Sequence, residues 1–215
     1  MLRGPEAADA GLKTRVANML HSGSTFGRLW IDRWADAAYR NQTRYLQQHI
    51  GFRRALSRFF VHGALLRPVK TSVVAGPPTV SLVPAKELKG HNLTLSSCLT
   101  SLWLSEDGLE MGLMISNLAE KDLEVAVEVE LQRTWLAAAA TGRHHTLSAT
   151  KLEYAELSAP LKETPLCVVP AGKAACGTFV PRGSSGELRP FQARERLAAG
   201  AAVFLKLGLP PGLLS

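Results

Sequence analysis

His144 and His145 are the nearest approach to a reactive cluster in this chain. Adjacent side chains on a strand point to opposite faces, so the pair would hold one ion only from a loop. Thr141-Gly142-Arg143 ahead of them reads as such a loop, yet no neighbouring Cys or carboxylate completes a ligand set. They are read as ordinary polar loop residues. Cys167 and Cys176 lie nine positions apart around V-V-P-A-G-K-A-A, which is not the close CxxC spacing of a zinc knuckle or redox site. They can meet across a hairpin turned through Pro170-Ala171-Gly172, either as two small buried hydrophobes or as a disulfide. Cys98, inside LTLSSCLTSLWL, reads as core. Three cysteines are too few for a disulfide scaffold, and a reducing compartment is the simpler reading.

Other reactive signatures are missing. The chain has no dinucleotide-binding glycine fingerprint, no phosphate-binding loop, no helical HExxH pair and no serine elbow. The expectation is a non-enzymatic protein with no cofactor and no metal. Asn41-Gln42-Thr43 and Asn92-Leu93-Thr94 match the glycosylation pattern, but the start MLRGPEAADAGLK reaches no signal-like apolar run. The apolar stretch AAGAAVFLKLGLPPGLLS is interrupted by Lys206 and two prolines, so no transmembrane segment is expected.

Charge divides the chain unevenly. Residues 1–70 carry 12 Lys+Arg against four Asp+Glu, whereas residues 71–215 carry 13 against 14. All of the basic excess therefore lies in the first third. At 215 residues, with 46% apolar and 20% charged residues, the chain is globular in balance and long enough for one sizeable domain or two small ones. The expected division is a basic helical arm or docking module at 1–70, a Pro/Gly linker at 71–78 and a β domain at 79–215.

Helical signals concentrate in FGRLWIDRWADAAYRNQTRYLQQHIGFRRALSRFF, residues 26–60, which contain no proline and many good helix formers. Phe26, Trp30, Trp34 and Ala38 recur at four-residue steps, followed by Tyr45, Phe52, Leu56 and Phe60. Gly51 is the expected point of bending or division. Seven arginines occupy much of the remaining surface. Residues 1–25 show no persuasive period beyond LKTRVANML.

Beyond residue 79 the period changes to two. Leu109, Met111, Leu113 and Ile115 share one face, as do Leu123, Val125, Val127, Val129 and Leu131, with Glu124, Glu128 and Glu130 opposite. The short polar N-L-A-E-K-D between the two runs predicts a hairpin. Further strands are predicted at 79–83, 93–104 (with a bend), 151–157, 165–169, 174–180 and 201–207. The spacing leaves no room for a series of crossover helices, so the fold class is mainly β: an antiparallel β-sandwich or open barrel, immunoglobulin-like at fold level, preceded by an amphipathic N-terminal helical arm.

Function then rests on the helical segment. Its aromatics pack on the β domain or dock on other proteins, and Arg beside apolar groups also suits RNA or an anionic membrane surface. The chosen expectation is an accessory or structural subunit of a large protein assembly, peripheral to the mitochondrial inner membrane, with the cytoplasm as the alternative compartment. Its partners are other protein subunits, with RNA or anionic membrane contact through residues 26–60 as further readings. An RNA-contacting mitochondrial ribosomal protein and a β-sandwich enzyme with an unrecognised site are the alternative functions. The expected contact residues are Trp30, Trp34, Arg40, Arg44, Phe52, Arg53, Arg54, Arg58, Phe59 and Phe60.

Overall fold

The structure, a computed structural model, describes residues 5–24, 37–66, 69–82, 93–129, 148–154, 160–166 and 191–208. It is mainly β, multi-sheet, with helices at the N-terminal side, and the described sheets do not close into a barrel. The described helices are α1 (Pro5–His21), α2 (Arg40–Ala55), entered through a 3₁₀ turn at Ala37–Tyr39, and α3 (Ser57–Phe60). The strands are β1 (Ala64–Leu65), β2 (Lys70–Ala75), β3 (Thr79–Leu82), β4 (Leu93–Ser96), β5 (Cys98–Leu104), β6 (Glu110–Asn117), β7 (Leu123–Val129), β8 (Ser148–Glu153), β9 (Lys162–Pro165), β10 (Phe191–Leu197) and β11 (Ala202–Gly208). A six-stranded sheet runs β1-β5-β6-β11-β8-β9, a three-stranded sheet runs β10-β7-β2, and β3-β4 pair separately; every pairing is antiparallel.

Alternation assigns each face of the large sheet to a different core. Leu102, Met111, Leu113, Ile115, Val203, Leu205 and Leu207 face the small sheet, where they meet Leu123, Val125, Val127, Val129, Phe191 and Leu197. Trp103, Met114, Leu152, Ala202 and Phe204 emerge on the opposite face and pack on Leu20, Phe52, Leu56, Phe59 and Phe60 of the helices. The helical segment is thus a layer over the large sheet. Gly112 shows how tight this is, because a Cβ there would lie 2.0 Å from Phe204 Cζ.

The predicted hairpin between the two alternating runs does not form. Strand β6 pairs with β5 and β11, whereas β7 pairs with β10 and β2, so the N-L-A-E-K-D connection crosses between sheets. The cause is a mismatch in burial: β6 is buried at every position from Met111 to Asn117, while β7 alternates buried and half-buried residues. A strand with one wet face belongs in an outer sheet, and one covered on both faces belongs in a central sheet. Asn117 fixes the crossing. Its amide nitrogen donates to the carbonyls of Lys121 (2.9 Å) and Ala198 (2.9 Å), and its amide oxygen accepts from Ala119 N–H (2.8 Å). Ala198 belongs to the β10–β11 connection, the second crossing, so one buried side chain ties the two arches together.

Several boundaries also differ from expectation. Lys70–Ala75, read as the last arm residue and part of a linker, forms β2 against β7, with a register shift between Val73 and Ala75. Pro77 and Pro78 only follow the strand, where proline removes no ladder bond. Gly51 does not divide the helix; α2 continues to Ala55 and the break falls at Leu56. A glycine at position 51 leaves room for the Tyr154 ring, since a Cβ would stand 2.7 Å from its hydroxyl oxygen. The predicted bend in 93–104 falls at Ser97, and β11 lies one residue beyond its predicted start. Strand β10 has no counterpart among the strands the sequence predicts. The predicted strand at 174–180, and the segment 26–36 of the long helical reading, lie outside the described residues.

Val127 is buried in the inter-sheet core, whereas Glu128 faces outward between Lys70 (3.3 Å) and Gln192 (3.0 Å). Val127→Asp is expected to cost about 3–5 kcal/mol, because it buries an unpaired carboxylate. Glu128→Lys is expected to cost about 1 kcal/mol or less, as it replaces an exposed cross-strand pair with a like-charged one. Urea unfolding of both variants measures the difference; equal losses would mean that β7 has no wet face.

Candidate interaction surface

Strand β10 and its neighbours pair their surface charges across the small sheet. Arg194 Nε lies 3.1 Å from Glu124, Arg196 3.6 Å from Asp122, and Lys70 3.3 Å from Glu128. Each exposed cation of the small sheet has an acid across the ladder, the arrangement that cross-strand neighbours favour. Lys151 carries this inward: its ammonium reaches Glu195 at 3.0 Å and Glu153 at 3.2 Å. Burial alone would lower the Lys151 pKa, but the hydrogen bonds and charges of Glu195 and Glu153 outweigh it and raise it. The cluster links β8 of one sheet to β10 of the other and is structural.

Helix α2 breaks the pattern. From Ala37 to Lys86 the sequence has no Asp or Glu. The buried face of α2 carries Gln42, Tyr45, Leu46, His49 and Phe52, which leaves Arg40, Arg44, Gln47, Ile50 and Arg54 exposed. Arg40, Arg44 and Arg54 have no ion pair or hydrogen bond among the described residues. They span about 21 Å of helix at 1.5 Å per residue. Arg40 stands in the first turn, where the helix end is already positive and no side-chain cap answers it. A cation there costs the helix a few tenths of a kcal/mol, roughly 0.3–1. The fold gains nothing visible in return. Exposed apolar groups lie along the same helices and just beyond them: Ile50 is 42% exposed, Val61 51% and Leu65 51%.

The remaining expected contact residues divide by position. Phe52, Phe59 and Phe60 face inward, and their rings meet Tyr154 (5.0 Å), Phe204 (5.0 Å) and Trp103 (5.3 Å) respectively. Their bulk serves the chain's own core, so in this fold they are not presented to a partner. Arg53 Nη1 donates to Gly23 O at 3.0 Å and so ties α2 to the end of α1. Arg58 is half-engaged, ion-paired with Glu110 and 5.2 Å from the centre of the Phe59 ring. Trp30 and Trp34 lie outside the described residues, as do His144, His145, Cys167 and Cys176.

No protein-family model matches the chain, and no curated protein matches it. A solved structure described as the crystal structure of an arabinofuranosidase aligns at 9% identity with a TM-score of 0.23. The alignment covers 70% of this chain, which spans 27% of that structure's length. A likeness this low carries no argument about fold or activity.

Reactive groups elsewhere are sparse among the described residues. No set of three or more His, Cys, Asp or Glu is placed to hold a metal ion. Burial pushes the Cys98 thiol up to about 12, which removes it as a nucleophile at neutral pH. A shallow groove of about 470 Å³ between the end of α1 and strands β1 and β5 offers His21 as its one titratable group. No described helix is long and apolar enough to cross a membrane.

The sequence displays the arginines beside rings that turn inward and does not single out Ile50, Val61 or Leu65. The signal was present in the spacing: Tyr45, His49, Phe52 and Leu56 continue one buried stripe, which forces Arg40, Arg44 and Arg54 to the far side. Arg53 and Arg44 separate structural from surface roles. Arg53→Ala is expected to lose about 1–2 kcal/mol, the worth of a charged hydrogen bond to a carbonyl. Arg44→Ala should stay within about 0.5 kcal/mol of wild type. Thermal unfolding of the two variants checks this, and a stability loss at Arg44 equal to that at Arg53 would contradict the assignment.

Proposed function

We propose that this protein is a non-catalytic subunit of a larger assembly and docks on an acidic surface of a protein partner through the exposed face of α2 and α3. The observation that carries the reading is that Arg40, Arg44 and Arg54 share one exposed helix face with no ion pair among the described residues, in a stretch of sequence without an acid from Ala37 to Lys86, whereas each exposed cation of the small sheet is paired. Arginine together with exposed Ile50 on α2, and Val61 and Leu65 just beyond α3, supplies the two side-chain classes that a protein contact combines. Phosphate recognition has no use for those apolar groups. Trp30 and Trp34 stand just before this face in sequence and are proposed as further anchors. The mitochondrial inner membrane is the proposed site of the assembly, on the strength of the acid-free basic run over residues 10–31, retained as an uncleaved address because α1 buries Val16, Ala17 and Leu20.

The test is the sedimentation of the tagged chain from its native cell at low salt, with and without ribonuclease. The wild type is expected in a large ribonuclease-resistant particle. Arg40→Glu, Arg44→Glu and Arg54→Glu together should reduce its share there at least about tenfold, through lost charge complementarity, with unchanged thermal stability. Release by ribonuclease would transfer the face to RNA, and a wild-type chain that sediments alone would overturn the subunit reading.

A further inference from the structure

His21 is buried between α1 and the large sheet, His49 is buried on α2 within its electrostatic reach, and neither takes part in the arginine-bearing face. His21 ends α1, and its Nε2 lies 2.9 Å from the Ser116 hydroxyl of β6. His49 sits in α2, where its Nδ1–H donates to the Tyr45 carbonyl at 2.8 Å and its ring lies 4.1 Å from the Tyr45 ring. The other nitrogen of each ring, His21 Nδ1 and His49 Nε2, is fully buried without a hydrogen-bond partner. An imidazolium has two N–H donors, and each of these sites offers only one of them a partner.

Apart from Tyr45, the described surroundings offer a positive charge no partner. On α1, Lys13 shares with Tyr45 of α2 the space over Gly200. On α2, Arg53 is turned to Gly23 O. From the sheet come the neutral Ser116 hydroxyl and, in register beside it, Ala202. No described carboxylate pairs with either ring. Burial, and secondarily the neighbouring His49, depress the His21 pKa to about 3. Burial depresses that of His49 to about 4, against the raising effect of the Tyr45 carbonyl.

We propose that the His21–His49 pair makes the helical layer acid-releasable, so that α1 and α2 leave the sheet under mild acid while the two-sheet core stays folded. Both rings are carried by helices, so detachment delivers them to water and lets each take a proton. The core between the sheets contains neither ring and keeps the Asn117 bracket. A free imidazole titrates near 6.5, above both folded values, so the layer is fully held above that pH. Its hold is lost as pH falls from there toward 4.

Peptide-resolved hydrogen exchange on the full chain, corrected for the intrinsic rate, tests this between pH 7.5 and pH 5. The opening equilibrium of α1 and α2 should rise about 30-fold per histidine, while β6, β7 and β11 keep their protection. His21→Gln with His49→Asn keeps a polar group near Ser116 and near the Tyr45 carbonyl without the titration, and should abolish the rise. His62→Gln, at an exposed histidine, should leave it intact. If the double variant does not hold its helices even at pH 7.5, the wild type decides: log opening against pH should fall with a slope near two between pH 6 and 5. A slope below one, or strands that lose protection in step with the helices, overturns the proposal.

Discussion

Strand β6 is buried on both faces from Met111 to Asn117, and the sheet built around it must be covered on both sides. On one side the cover is the small sheet, whose alternating β7 has a single apolar face to give. On the other it is the helices, whose rings reach Trp103, Met114 and Phe204. Remove either cover and a contiguous apolar surface faces water, at roughly 25 cal/mol for each Å² exposed. The helices are therefore part of the domain core in this fold. Asn117 then has to turn the chain from one layer to the next, and it does so with every hydrogen-bonding group satisfied.

That constraint also explains which features the sequence makes plain. The alternation in LEVAVEVEL is legible because the small sheet has one wet face, and the bend near Ser97 is legible from the polar Ser-Ser step. The pairing partner of LEVAVEVEL is not legible, because a short polar connection looks the same whether it closes a hairpin or bridges two sheets. Strand β10 hides behind its own chemistry. FQARERL directs Phe191, Ala193, Glu195 and Leu197 inward, and a carboxylate in that series masks the period until Lys151 is known to neutralise it. Helix α1 is masked by small residues: Ala17 buries completely yet adds little to a hydrophobic stripe.

The interaction surface is legible to the same degree and for a related reason. Its residue types could be read directly, as arginines without acids, but not which side of the helix each group takes. Burial of Phe52, Phe59 and Phe60 decides that, because a helix that commits its rings to a sheet has its remaining face turned outward. One helix accordingly does two things. Its inner face completes the core, and its outer face holds charges for which the described residues supply no acid.

The central claim is that the helical layer and the large sheet form one core, and the Phe60–Trp103 contact is its most direct probe. The rings meet edge-on at 5.3 Å across the boundary between helix and strand. A double-mutant cycle of Phe60→Leu and Trp103→Leu, read by urea unfolding at pH 7.5, measures their coupling alone. The account predicts a coupling of about 0.5–1.5 kcal/mol, the range for a buried aromatic pair. A coupling indistinguishable from zero would mean that the helices do not pack on this sheet.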